Sequence, residues 1–172
     1  MTTKQNNPKL KKAIYDEGCY FLFALGVYSD LTGVDPNPDE VNTVYDMAVD
    51  IGAIRSDCYM NPGAFEKIFG ICTNLFGVSA SAIFLWKENK DGSRFDVGSV
   101  QVGNKHYNAD DFGFEPTHYA ALYIATLNGK TYGHFVKVDR ETGEVLDDSW
   151  PNSNAVRNGY VKSYRAIHAK LV

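Results

Sequence analysis

The sequence is short of positive charge, of long apolar runs and of cysteine, and each shortage removes a class of function. Lys and Arg number 17 against 21 Asp and Glu, for a formal net charge of -4. That balance lacks the basic excess with which a protein displaces counterions from a phosphate backbone, so a nucleic-acid partner is not expected. The longest apolar stretch, Cys19 to Leu25, is broken at Gly26 and soon reaches Ser29 and Asp30. It falls far short of the roughly 18 to 20 residues that cross a bilayer, and no membrane span is expected. The first twelve residues are polar and lysine-rich, and no small-residue cleavage site follows the apolar stretch, which argues against a secretory signal and makes the cytoplasm the expected compartment. Three cysteines, Cys19, Cys58 and Cys72, form an odd and widely spaced set, with at least one free thiol and no disulfide framework. The histidines His106, His118, His134 and His168 lack the paired spacing of a zinc ribbon or of a two-histidine helix. Neither a metal nor another cofactor is expected.

What is present suits one globular domain spanning residues 1–172, with residues 1–12 a flexible or loosely attached N-terminus. An apolar fraction of 44%, with 13% aromatic, is enough for a core. From Cys19, apolar or small residues at Phe21, Leu22, Phe23, Leu25, Gly26, Val27 and Tyr28 cover nearly the whole circumference of a helix, which predicts a central, buried one. The breaker Asp35-Pro36-Asn37-Pro38 precedes a second helix, capped by Asp39 and amphipathic through Val41, Val44, Tyr45, Ala48 and Ile51. A third follows Asn61-Pro62-Gly63, carries Phe65, Ile68, Phe69, Cys72 and Leu75, and ends at Gly77.

Beyond that point the pattern changes to short β-branched and aromatic segments: 81–85, 95–102, 118–127, 130–139, 144–150 and 159–167. They are separated by turn signals, with Asn128-Gly129 fitting a tight primed hairpin. Helices followed by strands predict an α+β fold with one antiparallel sheet.

Three residue types needed for thiol catalysis then stand out. Cys19 follows Gly18 at the start of the buried helix, where unpaired backbone donors and the helix dipole favour a thiolate. His134 lies early in a strand, where its ring would hold the thiolate as an ion pair and protonate a leaving group. Asp147 and Asp148 lie on the next strand and would orient the imidazole. The bland readings are a core cysteine like Cys58 and Cys72, a structural strand histidine, and carboxylates that merely end a strand.

Short motifs tip this balance. Gly18-Cys19-Tyr20-Phe21 resembles the nucleophile segment of the papain-like cysteine peptidases. Gly133-His134-Phe135-Val136-Lys137-Val138 resembles their histidine strand, closest to the bacteriocin-processing, double-glycine peptidase-like branch. Asp148-Ser149-Trp150 resembles the Asn-Ser-Trp of papain with the Asp usual in that branch. The resemblance implies N-terminal helices packed on a C-terminal sheet, a catalytic set of Cys19, His134 and Asp148, and a cleft bordered by Tyr15, Gly18, Tyr20 and Trp150. It implies no cofactor, and a peptide or protein as substrate or binding partner.

One departure bears on activity. The family carries a Gln six residues before the Cys as an oxyanion donor, and that position is Ala13. Tyr15 would donate from nearby, or Gln5 would fold back, whereas an ionised Glu17 cannot donate; loss of such a donor costs about a hundredfold or more in rate. The aspartates also pull apart: a four-residue loop from Arg140 to Gly143 puts Val136 opposite Asp147 and so puts Asp147 on the His134 face, while a five-residue loop puts Asp148 there. The motif favours Asp148, with Asp147 the second candidate. The leading expectation is a cysteine peptidase or amidase. Beside it stand a catalytically silent protein-binding or inhibitory module, and a transferase using the same triad.

Overall fold

Proline and glycine punctuate the helical half where its apolar periodicity breaks. The chain is described over all of residues 1–172 by a computed structural model, and it divides into two units: Met1–Ala82 with Ala169–Val172, and Ile83–His168. No helix is long and apolar enough to cross a membrane.

The first unit holds helices α1 (Lys12–Glu17), α2 (Cys19–Thr32), α3 (Pro38–Asp50) and α4 (Ala64–Phe76). Every residue of α2 from Phe21 to Tyr28 is buried, as its all-round apolar pattern requires. The helix stops at Gly33 in the left-handed region, φ 74°. Tyr28 takes its hydroxyl into the core and donates it to the Val78 carbonyl at 2.6 Å, while its ring meets Phe69 edge-on at 5.5 Å.

Helix α3 begins earlier than the expected Asp39 cap. The cap is Asn37, whose side chain accepts from Glu40 N–H while Glu40 accepts from Asn37 N–H. Pro38 occupies the first turn, where its missing donor has no cost, so the second proline of the breaker belongs to the helix. Val41, Val44, Tyr45 and Ala48 form its buried face. Helix α4 runs between left-handed Gly63 and Gly77 and buries Phe65, Ile68, Phe69 and Cys72, whereas Leu75 is exposed.

Residues 1–12 are not loosely attached. Thr2 donates to Asp35 through both N–H and hydroxyl, Thr3 donates to the Pro36 carbonyl, and Lys11 N–H donates to Asn42. Thr3, Gln5 and Leu10 are buried. Short polar side chains pin this arm through local and cross-helix bonds, a signal that periodicity does not register.

The second unit is dominated by a six-stranded sheet, with the unit boundary falling inside its strands β1 (Ala80–Glu88) and β8 (Tyr160–Leu171). The others are β2 (Arg94–Phe95), β5 (His118–Leu127), β6 (Lys130–Val138) and β7 (Val145–Asp147), in the order β2-β1-β8-β5-β6-β7. The expected single sheet is corrected by a separate antiparallel ribbon of β3 (Ser99–Val102) and β4 (Lys105–Asn108). Chain 95–102 cannot run as one strand: Asp96 has φ 46°, and a Cβ on Gly98 would lie 2.3 Å from the Phe84 carbonyl oxygen. The architecture is α+β with mostly antiparallel pairing.

The β5–β6 hairpin turns through Asn128 and Gly129, with φ 52° and 76°, so Leu127 pairs with Lys130 and Tyr123 with His134. Along β6, His134, Val136 and Val138 are buried on one face, and Phe135 and Lys137 take the other. Helix α5 (Asn154–Asn158) packs Val156 against Ala121, Val136, Val138 and Tyr164 on the first of these faces.

Gly159 lets α5 come that close. A Cβ there would lie 2.3 Å from both the Ala155 and the Ile124 carbonyl oxygens. Gly159→Ala is expected to destabilise the fold by about 2–3 kcal/mol through backbone overlap that no rotamer relieves, read as a lower urea midpoint.

Candidate active site

Cys19 is the first residue of α2, and its position follows from Gly18. Gly18 closes α1 by donating to the Ile14 carbonyl at 2.8 Å and opens α2 by accepting from Leu22 N–H at 2.8 Å. Its backbone, φ −85° and ψ 8°, is open to any residue, but a Cβ would lie 2.5 Å from the Ile14 oxygen. Glycine is required by close approach, and it sets the step between helices at which the cysteine sits.

The three thiols differ. Cys19 is half-buried, while Cys58 and Cys72 are buried. Burial pushes Cys72 up to about 12, and burial, followed by the nearby Cys19, does the same for Cys58. Both remain protonated across the physiological range, which leaves Cys19 as the chemically available sulfur. Tyr20 packs its ring edge-on to Phe65 at 5.6 Å and stacks on Phe23 at 6.0 Å, forming an aromatic patch beside the helix start. Tyr15 is exposed on α1, and its carbonyl accepts from Gln5 Nε2 at 3.1 Å.

In the second unit, His134 and Asp148 are joined: Nε2 and Oδ1 are 2.6 Å apart, and both side chains are largely shielded from solvent. An ionised carboxylate only accepts, so Nε2 carries the shared proton and Nδ1 is the nitrogen at which the neutral ring gains one. The same Oδ1 accepts from Trp150 N–H at 2.9 Å, and Oδ2 accepts from Ser153 Oγ at 3.3 Å.

Asp147 is not the partner. The hairpin has the four-residue loop, with Asp139 N–H donating to Glu144 and Val138 opposite Val145. The register then slips, so that Asp147 pairs with Lys137 rather than Val136. Leu146 is the extra, exposed residue of a β-bulge. The slip turns Asp147 to the face of Lys137 and hands the His134 face to Asp148. Trp150 contributes its backbone N–H, while its indole is half-buried.

Tyr123 and Ser153 are neighbours of the His134–Asp148 pair that sequence patterns left aside. Tyr123 pairs with His134 across the sheet, and burial, then Tyr164 and Asp148, push its phenol above the ordinary value of 10.0. The Asn128-Gly129 turn fixes that pairing and could have revealed it. Cys19 belongs to the first unit, and His134 and Asp148 belong to the second. No group of three or more His, Cys, Asp or Glu residues is arranged to hold a metal ion.

The family model that matches the chain is described as a protein of unknown function, DUF261, and covers residues 1–169. No curated protein and no solved structure matches.

Removing the Asp148 carboxylate strands three donors in a buried setting: His134 Nε2, Trp150 N–H and Ser153 Oγ. Asp148→Ala is expected to cost about 2–3 kcal/mol in urea unfolding. Asp147→Ala should cost less than Asp148→Ala in the same measurement.

Proposed function

We propose that this chain, which belongs to the DUF261 family, is a cysteine-dependent peptidase or amidase of papain-like design. The observation that carries the reading is the 2.6 Å bond between His134 Nε2 on β6 and Oδ1 of Asp148, just past β7, in a chain whose earlier helix opens with a half-buried cysteine. The reading requires the reactivity of the Cys19 thiol to depend on His134, which the alkylation below tests. A papain-like α+β fold, helices before sheet, is part of the same proposal.

In the proposed reaction the Cys19 thiolate attacks the acyl carbon of an amide, and the carbonyl becomes a tetrahedral oxyanion. Collapse breaks the C–N bond as the His134 imidazolium delivers its proton to the leaving amine. Water then attacks the thioester, giving one proton to His134, and release of the acid restores the thiol-imidazole pair. Asp148 keeps the ring in the tautomer that this exchange needs.

Ala13 leaves the usual side-chain donor to the oxyanion missing, and Gln5 fits the vacancy in chemistry. Gln5 is 4% exposed, and its Nε2 donates to the Tyr15 carbonyl, the acceptor that an unbroken helix would offer to Cys19 N–H. A buried primary amide is therefore held one helical turn from the nucleophile. We assign it the donor role beside the Cys19 backbone N–H.

Alkylation by iodoacetamide, read by mass spectrometry for each cysteine, tests the triad. Cys19 is expected to react at about pH 6, where an ordinary thiol of pKa about 8.5 is almost fully protonated, and to lose at least about tenfold in His134→Ala. Cys58 and Cys72, pushed up to about 12, should stay unmodified in the folded protein. Cys19 inert at that pH, or indifferent to His134, would leave a silent papain-like binding module as the reading.

Gln5 separates two reactions of the same thiol. Displacement of iodide forms no oxyanion, whereas acylation by p-nitrophenyl acetate does. Gln5→Ala should leave alkylation near the wild-type rate and slow acylation by about a hundredfold. Equal effects on both reactions would remove Gln5 from the oxyanion site.

A further inference from the structure

Asp148 is the last support of the proposed triad, and a carboxylate orients an imidazole only as well as its own plane is fixed. Two donors besides His134 fix it. Trp150 N–H shares Oδ1 with the ring, and Ser153 Oγ lies 3.3 Å from Oδ2. The first is a backbone group two residues on, and it turns the chain out of β7. The second is a side chain five residues on, and it reaches the oxygen that His134 does not use.

Ser153 has a second bond that makes its role directional. It is the N-cap of α5, and its Oγ accepts from Val156 N–H at 3.3 Å. A hydroxyl has one proton. With Val156 N–H supplying a hydrogen to the oxygen and an ionised carboxylate able only to accept, that proton goes to Asp148. Ser153 is 7% exposed, its own N–H donates to the Trp150 carbonyl, and its carbonyl accepts from Arg157 N–H. It is therefore fixed at every polar atom. Helix α5 is in turn seated on the sheet by Ala155, 2% exposed, and by Val156 in the cluster with Val136 and Tyr164. The chain of constraint runs from the sheet through α5 and Ser153 to the carboxylate plane.

We infer that Ser153 is a positioning residue that holds the Asp148 carboxylate in the plane that commits His134 to its Nε2–H tautomer. This rests on the proposed triad only for its consequence at Cys19, because its premises all lie within the second unit. The other titratable groups that pack on this face include Tyr119 and Tyr123 on β5 and Tyr164 on β8, and all three are unchanged in the variants below.

The experiment is nitrogen NMR of ¹⁵N-histidine-labelled full-length protein, at a pH where the His134 ring is neutral, combined with Cys19 alkylation. Ser153→Gly withdraws the donor to Asp148 while keeping a residue nearly as good at a helix cap, Ser153→Ala withdraws both, and Ser153→Thr keeps both. Wild type and Ser153→Thr are expected to show an almost pure Nε2–H ring. In Ser153→Gly and Ser153→Ala alike, the Nδ1–H tautomer should rise severalfold, and Cys19 alkylation at about pH 6 should fall by about tenfold. A tautomer ratio in Ser153→Gly equal to wild type overturns the inference, as does an effect confined to Ser153→Ala, which would belong to the helix cap. A tautomer change with Cys19 already indifferent to His134 in the wild type upholds the positioning role and rejects the cysteine-peptidase reading, so the two failures are distinct.

Discussion

A single carboxylate is the junction on which the second unit's buried face depends. Asp148 accepts from a strand side chain, from the backbone of its own turn and from the cap of the following helix. Each donor comes from a different level of structure, so the sheet, the turn and α5 are tied at one point. Buried hydrogen bonds to a charged acceptor are among the stronger ones, and their loss costs more than their net contribution because the donors remain desolvated. The short helix α5, only 5 residues long, could not be stable alone, and it persists through its seat on β5 and β6 and its serine cap.

The first unit solves a different problem, that of keeping one thiol apart from the core while two others vanish into it. The helix that carries Cys19 is buried from Phe21 to Tyr28, so its opening turn stands outside the core. Gly18 fixes where that opening falls, through an approach to Ile14 that excludes any side chain. The N-terminal arm closes over the same region with Gln5, held by bonds that run from Thr2 and Thr3 to Asp35 and Pro36. Packing at Gly18 and polar pinning by Gln5 thus both act on the short stretch before Cys19.

Elements whose pattern is dense were legible in the residues. The all-round apolar run of α2, the Gly63 to Gly77 limits of α4 and the Asn128-Gly129 hairpin follow from periodicity and turn chemistry, which act locally. Asp148 was recoverable from motif resemblance but not from alternation, because the bulge at Leu146 reverses the parity that alternation assumes. The pinned N-terminus, α1 and α5 were not legible. Their stability comes from Thr2, Thr3, Asn42 and Ser153 bonding across 5 to 33 residues, and no window of hydrophobicity contains that information. The cap of α3 was missed for a milder reason: Pro38 reads as a breaker, although the first turn of a helix accepts it.

The paired aspartates at the end of β7 acquire a meaning from the bulge. Strand parity is a binary quantity, and gaining or losing one residue inverts it for everything downstream. At most positions such an inversion would exchange a functional side chain for whatever happened to be next to it. Here the preceding residue is the same acid, so a hairpin one residue longer, which moves Asp147 into the place of Asp148, still presents a carboxylate to the histidine. The doublet makes this edge of the sheet tolerant of a one-residue insertion, a kind of insurance that a lone aspartate would not provide.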